Sequence, residues 1–252
     1  MTATPVVAVC WDVDGTLLWG GTVGGDVLRR AFTAVTGHDV PGHVPMGGMT
    51  DHLVALAFRD LLPPADAAVL HARGDAYPAA MTAAVAAEWE GRADELARVT
   101  VVLPGVRACL AALAAEGVPQ VVVTGNVRAG AEAKLVAAGL HPGPLDLELG
   151  AYGDLPGPRA GLVHAARTAI EARHGRPAVL VVVGDTPKDV EAAHAAGALA
   201  VGVATGSADA GALRAAGAEH VLDDLSEPGR LLAVVRAAGE DAGRTIRGSV
   251  PP

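Results

Sequence analysis

The stretch VVAVCWDVDGTLLW, residues 6–19, decides how this chain folds. Its apolar run ends at Asp12, and a second carboxylate, Asp14, follows two residues later. An unbroken apolar run, rather than an alternating one, is the pattern of a strand covered on both faces, and therefore of a parallel sheet. Two carboxylates at i and i+2 of an extended chain project to the same side. Like charges that close disfavour each other's ionisation. The pair therefore marks a place where charge is used, and Gly15 and Thr16 supply the tight exit from it.

The same pattern recurs along the chain. QVVVTGN (120–126) and AVLVVVGD (178–185) are clear strands, and LDLELGAY (145–152), ALAVGVATG (198–206) and AEHVLDDL (218–225) are weaker ones. Between them lie helical patterns at 105–118, 127–140 and 159–175, each closing on a glycine. Strand and helix in alternation specify an α/β fold, a doubly wound, Rossmann-like parallel sheet. Residues 20–95 break the rhythm, with helical stretches near 25–37, 51–62 and 65–90 and no convincing strand. The expected organisation is an α/β core from 1–19 and 96–238, an inserted all-helical cap at 20–95, and a loose tail at 239–252, where no periodic apolar face remains.

Ligands of open α/β sheets bind at the carboxyl ends of the strands. There the chain delivers Asp12 and Asp14, then Thr124, Gly125 and Asn126, then Asp185 through Asp189. Each cluster alone has an ordinary explanation. A DxD can be a turn, Asn126 can cap the following helix, and GDTPKD can be a plain helix start with Pro187 in the first turn. Together, in order and each after a buried strand, they form one acidic edge. Four carboxylates converging there call for a cation, and an all-oxygen donor set favours Mg²⁺ over zinc.

DVDGT at 12–16, TGN at 124–126 and GDTPKDV at 184–190 resemble the motifs of the haloacid dehalogenase-like hydrolases, and among them the helical-cap phosphatases of the phosphoglycolate-phosphatase-like branch. The resemblance implies that Asp12 is a nucleophile forming an aspartyl-phosphate and that Asp14 is the general acid and then the base. It implies that Thr124 binds a phosphoryl oxygen, with Gly125 and Asn126 beside it. Asp12, the backbone carbonyl of Asp14 and Asp185 would hold Mg²⁺, with Asp189 a ligand or its support. The phosphoryl-binding cation would be Arg159, at the position where the family's cation falls. Arg128 is a weaker rival, and Lys134 reads as a solvated helix face. The presence of Asp14 favours ester hydrolysis over carbon–halogen cleavage, and an insertion without lysine excludes Schiff-base chemistry from the cap. The expected substrate is a small phosphorylated metabolite. The alternatives are a phosphomutase on the same scaffold, a phospho-acceptor signalling domain, which is about half this length and has no insertion, or an inactive binding module.

Composition narrows the field. The 252 residues carry a net charge of -9, which argues against a nucleic-acid or anionic-membrane partner. No apolar run approaches the roughly 18 residues of a membrane span. No basic residue precedes Arg29, so the start lacks a signal-peptide pattern and the chain reads as cytoplasmic. Cys10 sits in an apolar run as a small hydrophobe, and a Cys10–Cys109 disulfide is disfavoured. No two glycines lie two apart, so no GxGxxG exists. In the cap, GGMTD (47–51) reads as a Gly-rich connection with Thr50 or Asp51 capping the next helix. Trp19 could line the entrance, Trp11 reads as packing, and His38, His43 and His52 are candidate substrate contacts.

Overall fold

In a computed structural model that describes residues 4–248, with side chains through 244, strand β1 (Val6–Trp11) lies inside a six-stranded sheet. Its neighbours are β4 (Gln120–Val123) and β6 (Ala178–Gly184), both parallel to it, with Val9 opposite Gln120 and Val181. With β5 (Leu145–Ala151), β7 (Leu199–Val203) and β8 (His220–Leu222) the order is β5-β4-β1-β6-β7-β8, and every pairing is parallel.

Both faces of β1 are covered, which is why its apolar run does not alternate. Val9 and Trp11 pack into one core with α6 (Val106–Ala115), α7 (Arg128–Ala137) and α11 (Pro228–Gly248). Ala8 and Cys10 pack into the other with α8 (Ala160–His174), α9 (Pro187–Ala195) and α10 (Ala210–Ala215). Cys10 and Cys109 are both free and lie in different cores. The Trp11 indole donates to Gln120 Oε1 at 3.2 Å, and Gln120 Nε2 donates to Leu110 O at 2.9 Å, so these buried polar atoms are partnered.

The helical insertion holds α1 (Val23–Thr36), α2 (Asp51–Asp60), α3 (Pro64–Ala72), α4 (Ala76–Trp89) and α5 (Ala93–Val99) around a third core. Phe32 meets Phe58 edge-to-face at 5.5 Å, and the Tyr77 hydroxyl donates to Ala55 O at 2.7 Å. The single helical stretch expected at 65–90 is two helices, because the chain turns at Gly74, whose φ is 52°. Both chain crossings between insertion and sheet run through an antiparallel ribbon, β2 (Leu18–Trp19) with β3 (Val101–Val102). Two-residue strands carry no readable periodicity, so the ribbon has no signature along the chain.

The expected loose tail is corrected in part: α11 continues through Gly248. Leu231, Val234, Val235 and Ala238 anchor it, and once nucleated a helix adds one hydrogen bond per further residue. Residues 239–244 contribute no buried side chain, which is why no apolar face was visible. Residues 249–252 lie outside the described residues. Among the described residues no helix is long and apolar enough to cross a membrane.

Gly105 opens α6 at φ 76°, and a Cβ there would lie 1.9 Å from Leu225 O. Gly105→Ala should combine left-handed strain with a backbone clash and cost about 2–4 kcal/mol. The urea midpoint reads it, and an unchanged midpoint would contradict this packing.

Candidate active site

At the carboxyl end of β1 the backbone of Asp12 is tied to β6, its N–H donating to Val183 O at 2.9 Å. The chain then turns sharply through Gly15, at φ 79°. Two glycines make room for Asp185: a Cβ on Gly15 would fall 2.5 Å from its Oδ2, and one on Gly206 would fall 1.7 Å away. Thr16 Oγ1 donates to Asp185 Oδ1 at 3.3 Å, and Ser207 N donates to its Oδ2 at 3.3 Å. After β6, Thr186 donates through both its backbone N–H (3.0 Å) and its hydroxyl (2.6 Å) to Asp189 Oδ2, orienting that carboxylate at the start of α9. The result is a buried trio, Asp12, Asp185 and Asp189, with one oxygen of each within 4.8 Å of the others.

Burial drives the electrostatics of this trio. It pushes Asp12 up to about 6, against the opposing pull of the Arg159 guanidinium. It pushes Asp185 up to about 8, and the charges of Asp12 and Asp189 act in the same direction. Arg159 Nη2 lies 2.8 Å from Asp12 Oδ1 and 2.5 Å from Asp189 Oδ1. It is thus shared, buried, between the nucleophile candidate and the carboxylate that opens α9. Three carboxylates with no nitrogen or sulfur donor suit a hard divalent cation.

The Asp14 carboxyl stands outside this trio. Its Oδ2 accepts from Lys134 Nζ at 2.6 Å and from Asn126 Nδ2 at 2.8 Å. Lys134 is 4% exposed, which corrects its reading as a solvated helix face. It also donates to Asn126 Oδ1 at 2.7 Å and lies 5.4 Å from the centre of the Trp89 ring. The available signal was spacing: Lys134 sits eight residues past Asn126, about two helical turns, and so returns to the face that meets the sheet edge. Asn126 Nδ2 further donates to Thr124 Oγ1 at 2.9 Å, and Thr124 is fully buried. Arg128 points elsewhere, pairing with Glu148 and lying over the Tyr152 ring.

Asn126 does not cap α7. That N-terminus is served from the insertion, where Asp51 Oδ2 accepts from Val127 N at 2.8 Å. Asp51 N donates in turn to Gly125 O at 2.7 Å, and Thr50 caps α2, accepting from Leu53 N at 3.2 Å. Burial raises Asp51 to about 6. Gly125 is required because a Cβ would lie 2.1 Å from Met49 O. These contacts roof a half-open cavity of about 310 Å³ over the sheet edge, lined by Asp12, Asp14, Thr124, Gly125, Asn126, Arg159 and Asp185 from below and by the 46–49 loop and α1, α2 and α4 from above. Trp19, 56% exposed, lines it too, whereas His38, His43 and His52 do not. Trp11 is packing.

A protein-family model described as haloacid dehalogenase-like hydrolase matches residues 9–194. No curated protein matches the chain. Among solved structures, a hydrolase from Pseudomonas syringae is 22% identical, with a TM-score of 0.61 over 90% of this chain and 98% of its own. CbbY from Rhodobacter sphaeroides in complex with phosphate is 20% identical, with a TM-score of 0.59 over 89% and 96%. A predicted phosphoglycolate phosphatase from Haemophilus somnus is 18% identical, with a TM-score of 0.56 over 89% and 97%. At these identities the likeness is one of fold.

With Asp185 held near 8 in the folded chain against 3.8 for a free carboxyl, the folded state binds the extra proton. Stability without a divalent cation should therefore fall as pH rises from about 4 to about 8, and Asp12 adds to the same slope up to about 6. Melting temperatures in chelator should drop between pH 5 and 8, and a divalent cation should restore them most at pH 8. Asp185→Asn should flatten the drop and lose the cation shift. A flat wild-type profile, or a cation shift kept by the variant, would contradict the assignment.

Proposed function

The chain belongs to the haloacid dehalogenase-like hydrolases, and from that premise we propose that it is a Mg²⁺-dependent phosphatase acting on a small phosphate monoester. The observation that carries the reading is Arg159, a buried guanidinium set between Asp12 and Asp189 and lining the cavity over the sheet edge.

Asp12 attacks phosphorus. A bond forms between its carboxylate oxygen and phosphorus as the bond to the leaving oxygen breaks, giving an aspartyl-phosphate. Asp14 protonates the leaving oxygen, then takes a proton from the water that hydrolyses the acyl phosphate. Lys134 and Asn126 hold its Oδ2 and leave Oδ1 for that exchange. Arg159 and the Thr124 hydroxyl bind phosphoryl oxygens, the guanidinium as a two-donor fork. Asp12, Asp185 and the carbonyl of Asp14, with Asp189 in support, would hold Mg²⁺, which would supply positive charge to offset the carboxylates and the phosphoryl group. The insertion between β2 and β3 acts as the cap, shielding the site from bulk water while Asp12 is phosphorylated.

Asp12→Asn should abolish phosphate release from p-nitrophenyl phosphate, and retained turnover would remove Asp12 as nucleophile. A sugar phosphate isomerised without free phosphate would make the enzyme a mutase. Arg159→Ala should lower kcat/KM about 10²–10³-fold, the loss typical of removing one donor to a developing oxyanion. Chelation should stop turnover reversibly, and activity surviving it would exclude the metal.

A further inference from the structure

The two walls of the cavity differ in charge. The sheet edge supplies Asp12, Asp14, Asp185, Arg159 and Lys134. The insertion supplies Leu28, Met46, Met49, Val54, Val85 and Trp89, several glycines, and a single charged residue, Asp51. Among the described residues, no lysine, arginine or histidine of the insertion lines it. Arg29 turns back on its own helix, its Nη1 donating to Gly25 O at 3.4 Å, and Lys188 is exposed outside the lining.

The two cations that do line the cavity are engaged. Arg159 lies against Asp12 and Asp189, facing the transferring group. An ammonium has three N–H donors. Lys134 directs two at Asp14 and Asn126 and sits over the face of Trp89. Four lining carboxylates, Asp12, Asp14, Asp51 and Asp185, thus face two cations, and both cations stand on the sheet-edge side.

A second anion on the substrate, beyond the phosphoryl group, would be desolvated against an apolar wall and beside Asp51. No cation of the insertion lines the cavity to meet it, an arrangement that costs free energy and selects against such ligands. At about 310 Å³ the space is at the lower end of the ~300–1,000 Å³ typical of small-ligand sites.

We infer that the substrate is a small monoester whose leaving alcohol is uncharged and in part apolar, carrying one phosphate and neither a carboxylate nor a second phosphate. This rests on the phosphatase reading above.

The test compares pairs that differ in charge at similar size: glycerol 3-phosphate with 3-phosphoglycerate, and the monophosphate of 1,3-propanediol with its bisphosphate. In each pair the uncharged-alcohol member should have at least about ten-fold higher kcat/KM, equivalent to about 1.4 kcal/mol. Met46→Lys and Met49→Lys, each placing an ammonium on the half-buried apolar wall, should shrink that ratio in whichever variant folds. Turnover led by the charged members, or ratios near one, overturns the inference and leaves the phosphatase reading standing. Release of phosphate from none of the four sinks that reading and the inference with it.

Discussion

Mutual repulsion among Asp12, Asp185 and Asp189 is the constraint around which the rest of the molecule is built. Three carboxylates have been drawn within 4.8 Å of one another and out of water. Burial and neighbouring charge both oppose their ionisation. The surroundings answer this locally. Arg159 stands against two of the three, Thr16 and Ser207 donate to the third, and Thr186 holds one oxygen of Asp189. Gly15 and Gly206 are glycine because any side chain there would displace the Asp185 carboxylate. A parallel sheet makes the convergence possible, since β1 and β6 are neighbours and end on the same edge.

The insertion meets that edge through backbone as much as through side chains. Asp51 joins its N–H to Gly125 O and its carboxylate to Val127 N, and His52 N donates to Gly153 O at 3.2 Å. Gly125 is small because Met49 O passes directly over it, and Gly153 because a Cβ there would fall 1.7 Å from Gly125 O and 3.1 Å from Asp51 N. Gly130 is small because the Trp89 indole rests on it, with a Cβ there falling 2.4 Å from Nε1. A close, apolar cover lowers the local dielectric and strengthens every charge interaction beneath it. The same cover brings Trp89 to Lys134.

The pairing of Asp14 with Lys134 separates the two aspartates of the first motif. Asp12 faces the trio and Arg159, while the Asp14 carboxyl leans toward α7, and the two sit in different electrostatic surroundings despite being two residues apart. Asn126 bridges Asp14, Lys134 and Thr124, so the second motif supports the first as well as lining the cavity.

Local pattern alone settled much of this protein. Unbroken apolar runs specify strands covered on two faces, glycines mark helix ends, and DVDGT, TGN and GDTPKDV each follow such a strand, so the parallel sheet and its acidic edge are written along the chain. These features depend on neighbours in sequence and survive in one dimension. The depth of Lys134, the reach of Asp51 to α7, the two-residue ribbon and the uncharged upper wall of the cavity arise between segments tens of residues apart. Burial of a lysine is decided by what covers it. Here that cover is Trp89, 45 residues earlier in the chain, and only folding brings the two together.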